Sequence, residues 1–128
     1  MKQYMTVGLS MLAGAALGAA AIQTLHAQAK PPAIGIVEVT IKDQDGYTKE
    51  FLPVIMKTVQ AEGAKFLAAG GATVSLRGSP PAPRVVVVQW ESLNKAQEWW
   101  NSQATKDAYT IGDKYADFRI FTVEGVSP

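Results

Sequence analysis

Four consecutive valines, Val85–Val88, constrain this chain more than any other segment. Successive side chains on a strand point to opposite faces, so a run that is apolar at every position needs cover on both sides. Arg84 to Glu91 is therefore predicted as a central strand. From Ala33 to Lys42 the pattern alternates, with Val37, Val39 and Ile41 on one face and Ile36, Glu38 and Thr40 on the other, which predicts a second strand. Asp43-Gln44-Asp45-Gly46 is a polar turn able to cap a helix. Tyr47, Phe51, Val54, Ile55, Thr58 and Val59 form a helical stripe within Tyr47–Glu62. Pro53 predicts a kink or restart in that helix, and Gly63 its end.

Lys65–Ala69 reads as a short strand, Gly70-Gly71 as a hairpin turn, Thr73–Leu76 as a further extended piece and Arg77–Pro83 as a loop. Ser92 is the expected N-cap of a helix from Leu93 to about Ser102. Its apolar face is read as Leu93, Ala96 and Trp100, with Trp100 in the core and Trp99 the more accessible indole. Gln103–Tyr115 is expected to be irregular and partly helical. Phe118–Glu124 is the last strand, with Phe118 and Ile120 on one face and Phe121 on the other.

The order β-α-β-β-α-β predicts an α+β chain, a ferredoxin-like antiparallel sheet with both helices on one face. Helices on one face leave apolar surface on the other, to which Ile36, Trp90 and Phe121 are expected to add. A second copy packing sheet to sheet covers it, so a homodimer is expected.

Composition narrows the chemistry. The 128 residues carry 12 Lys+Arg against 11 Asp+Glu, which excludes nucleic-acid binding through a broad cationic face. There is no cysteine, hence no disulfide framework, thiolate metal site or cysteine nucleophile. The one histidine is His26. It lies in a segment with a basic start at Lys2, an apolar run from about Tyr4 to Ile22, and Ala27 and Ala29 at the −3 and −1 positions of a cleavage site. Residues 1–29 are thus read as a secretory signal peptide cut after Ala29, leaving 30–128 as one domain in the periplasm or secreted. An uncleaved anchor is the alternative. Cleavage removes His26, leaves no attachment to a membrane, and balances the charges.

Several segments, in order, resemble one known family: Val37-Glu38-Val39, Asp45-Gly46-Tyr47, Gly63-Ala64-Lys65-Phe66-Leu67-Ala68, Gly70-Gly71, Leu76-Arg77-Gly78, Arg84 to Val88, Trp99-Trp100-Asn101-Ser102 and Val123-Glu124-Gly125. Together they are similar to the domain of unknown function 1330 family of the dimeric α/β-barrel superfamily, over nearly all of Ala33 to Val126. The resemblance implies a ferredoxin-like fold that pairs into a barrel-like dimer; it implies no particular activity. Wider relatives include cofactor-independent monooxygenases, muconolactone-isomerase-like enzymes and haem-handling proteins. The last commonly bind iron through histidine, which the mature chain lacks. Where many family members carry an aromatic and an arginine after the Asn-Ser, this chain has Thr105 and Gly112 within 105–114.

Candidate chemistry then falls to carboxylate, guanidinium and phenol. Glu38, on the face opposite Val37 and Val39, is the candidate general base, its pKa expected to be raised by burial between two sheets. The bland alternative is an ion pair with Arg84 or Arg119. Arg84 is the candidate clamp for a carboxylate or oxyanion, and Tyr47 the candidate hydrogen-bond donor to a substrate oxygen, or else a staple between helix and sheet. Trp90, Trp99 and Arg119 complete the expected ligand-binding set. No cofactor is expected, and no metal site, since the aspartates lack a calcium-loop spacing. The leading expectation is a homodimer whose cavity binds a small apolar or carboxylated molecule, with Glu38, Arg84 and Trp99 converging on that cavity. The alternatives are a cofactor-independent isomerase, lyase or monooxygenase, and a structural protein without a ligand.

Overall fold

In the computed structural model, which describes residues 30–127, β1 (Ala33–Ile41) and β3 (Arg84–Trp90) lie side by side at the centre of a four-stranded sheet. The order is β2-β3-β1-β4, with β2 at Lys65–Ala69 and β4 at Ala116–Glu124, and every neighbouring pair is antiparallel. This is the ferredoxin-like α+β arrangement. The expected signal peptide lies outside the described residues.

The register explains which side chains share a face. Val37 sits opposite Val86 on β3 and Ile120 on β4, whereas Glu38 sits opposite Val85 and Arg119. Val37, Val39, Val86, Val88, Trp90 and Phe118 therefore meet the helices. Ile36, Glu38, Val85, Val87, Arg119 and Phe121 share the other face by strand alternation.

Helix starts and stops follow local chemistry. Asp43 accepts a hydrogen bond from the Gly46 amide and begins one α-turn, Gln44–Gly46. A π-helical turn, Tyr47–Phe51, follows, and then α1, Leu52–Ala61, with Pro53 in its first turn. The restart expected at Pro53 takes this form: a π-helical turn ends just before the proline, whose ring and missing N–H do not fit a regular α-helical ladder. The π-turn puts Tyr47 and Phe51 both inward and buried. Gly63, at φ 73°, closes α1: its amide reaches Gln60 O and the Ala64 amide reaches Val59 O.

Four details differ from expectation. Gln103–Gly112 is a regular helix, α3, capped by Ser102, whose Oγ accepts from the Thr105 amide at 3.2 Å. Its fully buried residues, Thr105, Ala108 and Gly112, are small, and the larger ones packed on the core, Tyr109 and Ile111, are only partly buried, so the stripe carries little of the hydrophobic signal that marks a helix in sequence. Gly70-Gly71 does not close a tight hairpin, because residues 70–83 separate β2 from β3. Thr73–Leu76 pairs with no described strand, and Val74 and Leu76 stand 79% and 91% exposed.

The fourth concerns the indoles of α2, Leu93–Asn101: Trp99 is 6% exposed and Trp100 46%. Trp99 is the core residue because its Nε1–H donates to Thr58 Oγ1 at 2.9 Å and its ring packs on Trp90, 4.8 Å between centroids. Trp100 instead lies over Tyr109.

Candidate functional site

The helices and the sheet do not close completely on one another. Between them is a cavity of about 220 Å³. Its floor is the covered face of the sheet: Phe66 and Ala69 from β2, Arg84, Val86 and Val88 from β3, Val37 from β1 and Phe118 from β4. Tyr47, Phe51, Leu52, Ile55, Met56 and Val59 from the first helical stretch, with Trp99 and Tyr109, form the rest. Met56 and Ala69 are the exposed members of this lining and mark its solvent side, between α1 and the edge strand β2.

This wall is apolar almost throughout, so its few polar groups decide its chemistry. Arg84 opens β3, and strand alternation sends it to the same side as Val86 and Val88. Its Nε–H donates to Tyr47 Oη at 3.2 Å, and its guanidinium carbon lies 5.6 Å from the Tyr47 ring centroid. Among the described residues no carboxylate forms an ion pair with it.

Tyr47 is held by Phe51 and Phe118, at 5.3 and 6.5 Å between ring centroids. Burial pushes its phenol above the ordinary value, with Arg84 opposing. Tyr109 is driven up as well, by burial first and then by Tyr47 and Asp113. Both phenols are therefore protonated at neutral pH and can donate hydrogen bonds. Trp99 keeps its ring free for the cavity because Thr58, itself bonded to Ile55 O, satisfies the indole nitrogen.

The expected convergence of Glu38, Arg84 and Trp99 on one cavity is not found: the fold brings Arg84 and Trp99, with Tyr47, to this cavity between helices and sheet, and strand alternation puts Glu38 on the opposite face of the sheet. Trp90 shares the covered face but is 2% exposed and packs beneath Trp99, outside the lining. It was expected on the opposite face. The strand parity of Arg84, Val86, Val88 and Trp90 was the signal that placed all four together.

Glu38 and Arg119 lie opposite each other across β1 and β4 on the uncovered face, and form an ion pair. Glu38 Oε1 also accepts from the Ala82 amide at 3.0 Å. The expected raised pKa gives way to a lowered one, because the Ala82 N–H and then Arg119 stabilise the carboxylate more than its partial burial penalises it. Arg119 further lies 5.0 Å from the centroid of Phe121. Sequence reasoning did not single out Tyr109, whose only signal was an aromatic in a stretch expected to be irregular. Among the described residues no three histidine, cysteine, aspartate or glutamate side chains group as a metal site requires.

Comparison with known proteins agrees with this fold. The model for a domain of unknown function (DUF1330) matches residues 32–126. Among solved structures, the chain is similar to RPA0582, a protein of unknown function from Rhodopseudomonas palustris, with TM-score 0.62 and 13% identity over 77% of this chain and 85% of that one. It is also similar to HapK from Hahella chejuensis (TM-score 0.56, 14% identity, 75% and 94% covered). A third is SnoaB, a cofactor-independent oxygenase from Streptomyces nogalater (TM-score 0.50, 10% identity, 77% and 96% covered). At such identities the likeness is one of fold. No curated protein matches the chain.

Proposed function

This chain belongs to the DUF1330 family, and from that premise we propose that it binds a small, mainly apolar molecule in the cavity between its helices and its sheet. The observation that carries the reading is the cavity itself: about 220 Å³, walled by apolar and aromatic side chains, with Arg84 and Tyr47 as its polar corner. An apolar cavity of roughly 150 Å³ takes up benzene, so this one has room for a single ring with a substituent. A purely structural domain gains nothing from such a void, since unfilled core volume is destabilising.

Arg84 and the Tyr47 phenol also suit stabilisation of an oxyanion, and SnoaB is an oxygenase on the same fold. Binding is nevertheless the preferred reading. Among the described residues, the lining contains no carboxylate, imidazole or thiol to take a proton.

The protein acts, in this reading, as an exported homodimer. The signal-like segment ending at Ala29 supports export to the periplasm or beyond. Among the described residues no helix is long and apolar enough to cross a membrane. The uncovered sheet face, with Ile36, Val85, Val87 and a 41% exposed Phe121, supports pairing through that face.

Calorimetry and amide chemical shifts with benzyl alcohol and benzamide test the cavity reading. Saturable binding is expected, with shifts around Ile55, Val86 and Trp99, and Ile55→Trp should abolish it by filling the space. No binding by either compound, or binding that survives Ile55→Trp, would remove the cavity as the site.

A further inference from the structure

We propose that the natural ligand of this cavity is a monoanion, a one-ring or short-chain carboxylate, with its acid end on Arg84 and Tyr47 and its apolar body toward Trp99 and Ile55. The proposal rests on the cavity reading and goes beyond it by assigning the charge and orientation of the ligand.

Three observations lead there. The first is an unmatched cation. A guanidinium offers five N–H donors in a planar fork shaped for a carboxylate. Arg84 spends its Nε–H on Tyr47, and among the described residues neither Nη nitrogen has a hydrogen-bond partner or a carboxylate neighbour. Arg84 is only half-buried, yet the cavity beside it is otherwise apolar. An anion entering there meets a guanidinium whose fork is not already shared with a carboxylate.

The second is that the fold makes room for this cation. Gly70, at φ 77°, lies against the guanidinium so closely that a Cβ there would come within 2.0 Å of Nη1 and push the guanidinium aside. Its left-handed backbone conformation is one other residues adopt with strain. The Arg84 side chain lies between the Gly70 backbone and the Tyr47 phenol.

The third is the polarity of the remaining corner. Tyr47 Oη accepts from Arg84, which leaves its own hydrogen to donate. Because burial keeps that phenol protonated, it presents a second donor. No acidic side chain in the lining opposes an incoming anion. Two convergent donors, one of them charged, at the edge of an apolar pocket match a carboxylate on a hydrophobic body.

Comparing benzoate with benzamide, a neutral compound of the same shape, isolates the charge. Benzoate should bind the wild-type chain at least tenfold more tightly. Arg84→Gln should erase that preference, bringing benzoate down to the affinity of benzamide in the same variant, and Arg84→Lys, which keeps the charge and loses the fork, should retain part of it. Circular dichroism and a thermal melt matching the wild type certify that the variants fold. Equal affinities in the wild type, or a benzoate preference that survives Arg84→Gln, would overturn the anion assignment and leave the cavity reading standing. If neither compound binds, both fall.

Discussion

Each face of the sheet carries one arginine, and the two are held in opposite ways. Arg119, on the uncovered face, keeps 72% of its side chain exposed and pairs with Glu38, whose second oxygen is taken by the Ala82 amide. Arg84, on the covered face, touches a phenol and a glycine, and among the described residues has no counter-charge. The uncovered face is electrostatically complete and carries no helix. The covered face is sterically nearly full and electrostatically incomplete. That contrast separates a surface suited to meeting another apolar surface from one suited to enclosing an anion.

The largest expected effect tests how much of the covered face depends on Trp99. Trp99→Ala should destabilise the fold by about 3–5 kcal/mol, since it removes a buried ring packed on Trp90 and its hydrogen bond to Thr58. Trp100→Ala, one residue on and half exposed, should cost about 1 kcal/mol or less. Urea denaturation of the two variants compares them directly, and equal losses would contradict the burial described above.

The uncovered face should behave differently. Phe121→Asp is expected to leave the unfolding of the protomer within about 1 kcal/mol of wild type. It should still raise the dissociation constant of the dimer at least tenfold, by sedimentation velocity. A wild-type chain that sediments as a monomer at high concentration would remove the pairing argument.

The smallest effect concerns Glu38 and has a definite sign. Its folded-state pKa is depressed, so the ionised carboxylate favours the folded state above the ordinary glutamate value of about 4.3, and that contribution is lost as the pH falls through the depressed value. Glu38→Gln should therefore be slightly less stable than wild type at pH 7, and the gap should close on acidification. Denaturation midpoints from pH 7 down to 3 give the comparison; a gap that widens with acid would mean that Glu38 is not stabilised by Ala82 and Arg119.

Much of the fold was readable along the chain. β1 and β3 declared themselves by alternation and by the valine run, and Asp43, Ser92 and Gly63 marked helix ends through bonds that span only a few residues. α3 was missed because its buried stripe is made of Thr105, Ala108 and Gly112, which carry little hydrophobic signal. Of the site, Arg84, Tyr47 and Trp99 were legible as residue types suited to a ligand. Glu38 was placed on the correct face, and its ion pair with Arg119 is the alternative that the sequence offered; the raised pKa of the general-base reading was inverted, because the Ala82 amide, 44 residues away, is not visible in local sequence.

The order of the strands and of the first two helical stretches, the helix ends at Asp43, Ser92 and Gly63, and the poverty in histidine and cysteine, hence a chemistry restricted to carboxylate, guanidinium and phenol, follow from local pattern and composition. Those properties are local or compositional, set by spacings of two to four residues. Only the tertiary structure decided which indole faces inward, which arginine finds a carboxylate, and that the empty space lies under the helices beside Arg84. Each of these depends on strand register and on contacts between segments far apart in the chain, as between Gly70 and Arg84 or Tyr47 and Phe118, where packing decides among side chains that local pattern leaves equivalent.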